Sequence, residues 1–82
     1  MQKGMLWFDD HTHRDLKTKI MRAVVYFESK YGRRPTHCYV HPGMLLGPRV
    51  EIDGVIVSPL PTVLPNHFWV GVEEDEQQRP AA

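Results

Sequence analysis

Apolar residues recur with helical spacing in the first half of the chain. Six of them follow the i, i+4, i+7, i+8, i+11, i+15 order that places side chains on one side of an α-helix: Leu16, Ile20, Ala23, Val24, Phe27 and Tyr31. Thr12 and Asp15 have the spacing of a capping box, and Gly32 can adopt the left-handed conformation that ends a helix. The pattern predicts one amphipathic helix over residues 13–31, capped by Thr12.

The remaining apolar positions favour strands. Residues 36–41 and residues 67–73 alternate between two sets of side chains, as half-buried strands do, and the apolar run at residues 5–8 predicts an edge strand. Asp53-Gly54 is a strong signal for a two-residue hairpin turn, with Ile52 opposite Val55. Three prolines then predict that residues 58–66 stay outside regular pairing.

These elements assemble into an α+β domain over residues 1–73. One long amphipathic helix packs on one face of a small, mainly antiparallel sheet of three to five strands, in the chain order β-α-β-β-β-β. Residues 74–82 lack a large apolar residue and are expected to form a disordered acidic tail. Alternation assigns seven residues to the sheet face opposite the helix: His37, Tyr39, His41, Glu51, Ile56, His67 and Trp69.

Composition narrows the class of protein. At 82 residues with 41% apolar residues, the chain suits one small globular domain with a thin core. Its longest apolar run, residues 23–27, is far below the roughly 18 residues of a membrane span, and residues 1–8 do not form a secretory signal. The expected compartment is therefore the cytoplasm, with no membrane partner. The lone Cys38 cannot form an internal disulfide, so the fold is expected to rely on packing.

The net charge of zero conceals an uneven distribution of charge along the chain. Residues 13–34 hold seven basic and two acidic residues, a local charge of +5. Residues 1–72 together carry +3, and residues 73–82 carry −3. We therefore expect removal of residues 73–82 to increase binding to polyanions.

The leading hypothesis is a noncatalytic interaction module that forms a homo-oligomer or binds another protein. The ring-rich sheet face supplies the proposed contact residues: Tyr39, His41, Ile56 and Trp69. In the competing account, Trp69 is partly buried inside the monomer under the proline-rich segment. Met21 and Val25, which lie away from the main helical stripe, form another candidate contact.

The alternative is a nucleic-acid-binding module. Its basic patch would combine four cations with two rings that stack on bases: Arg22, Lys30, Arg33, Arg34, Tyr26 and Tyr39. The same charges also suit an ordinary solvated helix, with cations favourably placed near its C-terminal end. No named RNA- or DNA-binding motif is present to decide between the two.

The third hypothesis is a metal-binding protein or a small hydrolase that uses histidines. The candidate ligands are His11, His13, His37 and His41, although no C-x-x-C or H-E-x-x-H spacing accompanies them. A half-exposed polar strand and a histidine-containing loop explain the same residues. Ser29 and Ser58 stand outside any nucleophile elbow, and Cys38 is expected to be a buried, inert thiol. We expect no catalytic residue and no cofactor.

Overall fold

The computed structural model describes residues 3–45 and 47–73. Its elements, in chain order, are β1 Lys3–Phe8, α1 Leu16–Tyr31, β2 His37–Val40, a short 3₁₀ helix Pro42–Met44, β3 Val50–Ile52, β4 Val55–Pro59 and β5 His67–Val72. The predicted α+β class and the order β-α-β-β-β-β are confirmed. The acidic tail predicted for residues 74–82 lies outside the described residues.

The five strands form one sheet in the spatial order β1-β5-β2-β4-β3. Every neighbouring pair is antiparallel except β2 and β4, which run parallel, so the sheet is mixed but mainly antiparallel, as predicted. The last strand of the chain therefore lies between the first two strands. β1 and β3 form the two edges.

The core lies between α1 and one face of this sheet. The helix contributes Ile20, Ala23, Val24 and Phe27, each with 0% of its surface exposed. The strands contribute alternate residues: Met5, Cys38, Val40, Val55, Val57, Phe68, Val70 and Val72. Each large apolar side chain in such a core contributes about 1.5–3 kcal/mol through burial. No helix in the described ranges is long and apolar enough to cross a bilayer.

The helix begins three residues later than predicted. Asp15, and not Thr12, is the N-cap residue, because its carboxylate accepts a hydrogen bond from the Thr18 N–H at 2.8 Å. The chain before it is held in a turn by Asp9, whose Oδ1 accepts a hydrogen bond from the His11 N–H at 3.0 Å. The predicted helix end is confirmed, since Gly32 has a φ of 74° and donates to the Glu28 carbonyl.

The hairpin between β3 and β4 has the predicted register. Asp53 and Gly54 both have positive φ, 52° and 84°, and Ile52 lies opposite Val55. These angles suit the tight turn that matches the twist of two antiparallel strands.

β4 extends further than predicted, because it includes Ser58 and Pro59. On either side of Pro59 in the strand, Ile56 and Leu60 donate backbone hydrogen bonds to the carbonyls of Thr36 and Val40. Because successive backbone N–H groups of a strand point to opposite sides, the Pro59 nitrogen faces away from β2, towards the side of β3. The pairing of β3 with β4 ends at Val57, so no strand among the described residues lies opposite this nitrogen. A proline is tolerated there because no ladder hydrogen bond requires its missing N–H.

Candidate interaction surfaces

The sheet face opposite α1 is the first candidate surface, and we call it the open face. Strand register assigns to it Gly4, Leu6, Phe8, His37, Tyr39, Glu51, Ile56, Ser58, His67, Trp69 and Gly71. Tyr39 and Trp69 are directly paired across β2 and β5, and Leu6 pairs with Trp69 across β1 and β5. Three of the proposed contact residues, Tyr39, Ile56 and Trp69, thus share this face.

His41, the fourth proposed contact residue, is not part of the open face. β2 ends at Val40, and His41 instead caps the 3₁₀ helix, where its Nδ1 accepts a hydrogen bond from the Gly43 N–H at 2.9 Å. The assignment of His41 to the strand is therefore wrong. Pro42 interrupts the alternation, because its ring and missing N–H end the ladder.

The most exposed apolar side chains near the open face were missed by sequence reasoning. Leu6 is 58% exposed and Phe8 is 56% exposed, both on the edge strand β1. The sequence does indicate their exposure, because in a fully apolar strand such as residues 5–8 alternate side chains must face away from the core. Leu64, in the proline-rich segment, is 65% exposed.

Trp69 is half-buried, and part of its cover comes from its own chain. The proline-rich segment, residues 60–65, borders it, and Leu6, Leu60, Val63, Leu64 and Trp69 help to line an open cavity of about 370 Å³. Val63 is buried although it is not part of the main core. Both accounts of Trp69 therefore describe part of the geometry: the segment flanks the ring, and the cavity keeps it accessible.

A hydrogen-bonded network holds Tyr39 in place. Its hydroxyl donates to Glu73 Oε1 at 2.8 Å, and the Glu73 N–H donates to Thr36 Oγ1 at 2.8 Å. His37 stacks on Tyr39 with ring centroids 6.1 Å apart. Burial and the Glu73 carboxylate raise the pKa of Tyr39 to about 12. At neutral pH Tyr39 is thus a fixed hydrogen-bond donor and not a base.

Cys38 lies on the core side of β2, with 0% of its surface exposed. Burial raises the pKa of its thiol to about 12, so the reactive thiolate is absent at neutral pH. This geometry gives no support to a catalytic cysteine.

The four candidate metal ligands are not brought together. The rings of His11 and His13 lie 5.8 Å apart in the loop before α1, whereas His37 is on the open face and His41 caps the 3₁₀ helix. Within residues 3–45 and 47–73, no group of three or more His, Cys, Asp or Glu residues could hold a metal ion.

Arg34 is a member of the proposed basic patch that is engaged in ion pairs within the described residues. Arg34 binds both the carboxylate and the carbonyl of Asp53, and its guanidinium lies 3.9 Å from Glu28. Lys30 lies over the ring of Tyr31, with its Nζ 5.4 Å from the centroid. Arg22 lies nearer to the start of α1 than Lys30 does. The two proposed stacking rings are also separated, because Tyr39 is on the open face and Tyr26 is on the helix.

The second candidate surface is a groove between α1 and β1, which we call the helix groove. It has a volume of about 810 Å³ and is lined by Trp7, Lys17, Thr18, Met21, Arg22, Val25, Tyr26 and Ser29. The sequence indicated Met21 and Val25 as a second contact strip, but not their meeting with Trp7. Tyr26 packs on Trp7 with ring centroids 5.0 Å apart.

The indole of Trp7 carries an unusual polar atom. Its Nε1 is buried and has no hydrogen-bond partner among the described residues. Most buried N–H groups in proteins are paired, because a buried donor has lost its hydrogen bonds to water, and without a partner it gains no bond in return.

Comparisons of the chain with protein-family models, with curated proteins and with solved structures found no match.

Proposed function

We propose that this protein is a small noncatalytic interaction module that associates with a second copy of itself through the open face. The observation that carries the proposal is the grouping of exposed Leu6 and Leu64 beside the half-buried Trp69, with exposed Phe8 two positions further along β1. Aromatic side chains such as Trp near the centre of a protein contact are among the groups that contribute most to association, and the side chains around them exclude water. A soluble monomer gains nothing by exposing them together.

Charge favours a second copy on this side of the molecule. The open face carries charges of both signs: Glu51 lies on the edge strand β3, Glu73 accepts the Tyr39 hydrogen bond, and the positive charge of Arg49 acts on Tyr39. Helix α1 instead carries four basic residues and one acidic residue. Two helices brought together would repel each other, whereas two open faces would not. An isologous pair, in which each copy offers the same surface, is the simplest arrangement.

The small size of the domain adds to this argument. A chain of 82 residues buries a limited fraction of its surface on folding, so its core is thin. Joining two open faces would bury Leu6 and Phe8 without any change of fold. The reduced thiol of Cys38 suits the cytoplasm, which we propose as the compartment.

Two matched variants test the proposal by sedimentation equilibrium. Leu6→Glu and Val25→Glu each replace an apolar side chain of nearly equal exposure, 58% and 60%, with the same charge. They lie on opposite sides of the sheet, because Leu6 is on the open face and Val25 is on α1. We expect a wild-type dimer, Leu6→Glu to weaken dimerisation at least about tenfold, and Val25→Glu to leave it unchanged.

Thermal melting of both variants shows whether either substitution unfolds the protein, which would also reduce dimerisation. A wild-type protein that stays monomeric at millimolar concentration contradicts the proposal. So does a dimer that Val25→Glu weakens more than Leu6→Glu, because that result would place the contact on the helix.

The nucleic-acid alternative has less support. Arg34, one of its four proposed cations, is engaged with Asp53. A gel shift with single-stranded and duplex oligonucleotides at two salt concentrations tests it directly, because phosphate contacts weaken steeply with salt.

A further inference from the structure

The geometry points to a second binding site on this protein: we propose that the helix groove docks an acidic, amphipathic peptide segment of a partner protein. The segment would insert one aliphatic or aromatic side chain into the groove and place carboxylates at its rim. This site is on the other side of the sheet from the open face and does not depend on self-association.

The apolar part of the groove is suited to an inserted side chain. Val25 is 60% exposed and Tyr26 is 48% exposed, so both present apolar surface to solvent. Trp7 and Met21 are half-buried beneath them and pack against the core. The volume of about 810 Å³ exceeds what one side chain needs, and it can also accept the adjoining backbone of a peptide.

The unpaired Trp7 Nε1 indicates which polar group the occupant would bring. Trp7 lines the groove, and its buried Nε1–H has no acceptor in the described part of the chain. Tyr26, which contacts the indole, is half-exposed on the helix surface, and such side chains change rotamer readily. A peptide that displaces the Tyr26 ring can offer a carbonyl or carboxylate oxygen to Nε1 and so satisfy the donor.

The charges around the groove select for an acidic segment. Lys17 and Arg22 both line it, and none of the lining residues is acidic. Glu28, the one acid of α1, lies 3.9 Å from Arg34 and outside the lining. A basic peptide or the α1 helix of a second copy would therefore be repelled. A polyanion without apolar groups would leave Val25 and Tyr26 uncovered.

The acidic run of this chain, residues 73–76, fits less well. It has four carboxylates but no apolar residue to fill the groove, and Glu73 itself is held by Tyr39 and Thr36. We therefore propose that the occupant is a segment of a partner protein.

The test is an NMR titration of the full chain labelled with ¹⁵N. The probe is a synthetic 12-residue peptide in which Leu and Phe alternate with Asp and Glu. One control peptide replaces the acids with Lys, and a second replaces Leu and Phe with Ser. The chain has two tryptophans, so the Trp7 indole N–H signal is assigned by its loss in Trp7→Phe, and the Trp69 indole serves as an internal reference.

We expect the acidic peptide to shift the Trp7 indole proton downfield, as a new hydrogen bond does, and to leave that of Trp69 in place. Arg22→Gln should weaken binding about three- to tenfold, whereas Lys30→Gln, on the same helix but outside the groove lining, should not. Val25→Glu should abolish binding. Leu6→Glu should retain it, which separates this site from the open face.

Four results would overturn the proposal. The first is the absence of a Trp7 shift with the acidic peptide, and the second is equal binding of the Lys peptide. The third is the same Trp7 shift produced by an oligonucleotide, which would assign the groove to nucleic acid. The fourth is a Trp7 shift on deletion of residues 74–82 alone, which would show that the chain's own acidic run occupies the groove.

Discussion

Gly4 shows how one residue shapes the open face. A Cβ atom at this position would lie 2.6 Å and 2.9 Å from two atoms of the Trp69 ring, so the indole rests directly against the Gly4 backbone. The ring therefore lies across β1 instead of standing out into solvent. Leu6 and Phe8 are left as the most exposed apolar groups of the sheet.

The Gly4→Ala substitution should destabilise the protein by about 1–3 kcal/mol, because the new methyl group forces the indole to move. Urea denaturation at neutral pH measures this loss. The same substitution in a Trp69→Val background should cost much less, since the clash is gone, and this coupling is what a double-mutant cycle detects. An equal loss in both backgrounds would show that the Gly4 effect is one of backbone conformation alone.

A glycine inside a strand indicates close approach of another group, so part of this contact is predictable. The identity of that group is not, because Gly4 and Trp69 are 65 positions apart in the chain and meet only through the pairing of β1 with β5. The same holds for Trp7, whose neighbour Tyr26 comes from the helix.

At the scale of the element, α1 shows how a local signal can be outcompeted. Thr12 and Asp15 both fit a capping box, and either residue type is a good N-cap. Asp9, at the end of β1, accepts a hydrogen bond from the His11 N–H and binds Arg14, which holds the intervening residues in a turn. The helix starts after this turn, at Leu16.

Replacing the two candidate caps one at a time tests this account. Asp15→Ala should reduce the free energy of unfolding by about 1 kcal/mol, because the Thr18 N–H loses its acceptor. Thr12→Ala should change it by less than about 0.5 kcal/mol, as is usual for exposed positions without such a role. Chemical denaturation followed by circular dichroism at 222 nm gives both values. A larger loss for Thr12→Ala would mean that the helix starts earlier.

At the scale of the whole molecule, Asp9 links the chain after β1 to the turn that leads into α1 and, through its backbone N–H, to the Asn66 carbonyl before β5. It is buried, and its carboxylate accepts hydrogen bonds from Arg14 Nη1 at 3.1 Å and 3.3 Å. Burial by itself would raise the pKa of Asp9. The His11 hydrogen bond and the charges of Arg14 and Lys19 outweigh it, so the pKa of Asp9 lies below its ordinary value of 3.8.

The lowered pKa of Asp9 predicts that the protein loses stability in acid. A carboxyl whose pKa is lower in the folded state stabilises the fold above its unfolded pKa of about 3.9, and this contribution is lost as pH falls through the folded value. The pKa of Asp15 is also lowered, chiefly by the Thr18 hydrogen bond, and acts in the same direction. We therefore expect little change in stability between about pH 7 and 5 and a steep fall below about pH 4.

Urea titrations across this range provide the measurement. Asp9→Asn should lower stability at neutral pH and flatten the fall in acid, because the titrating group is gone. Asp10→Asn, which alters an exposed neighbour, should keep the wild-type slope. An unchanged slope in Asp9→Asn would show that other carboxyls control acid unfolding.

The sequence by itself determined the elements whose signals are local. The apolar stripe predicts α1 because the residues of one helix face lie within a few turns of one another, and Asp53-Gly54 predicts the β3–β4 hairpin because the turn needs positive φ at two adjacent residues. Only the tertiary structure decided that β5 lies between β1 and β2 and that Trp7 meets Tyr26 to form the helix groove. These outcomes depend on pairing between residues far apart in the chain, which no local spacing encodes.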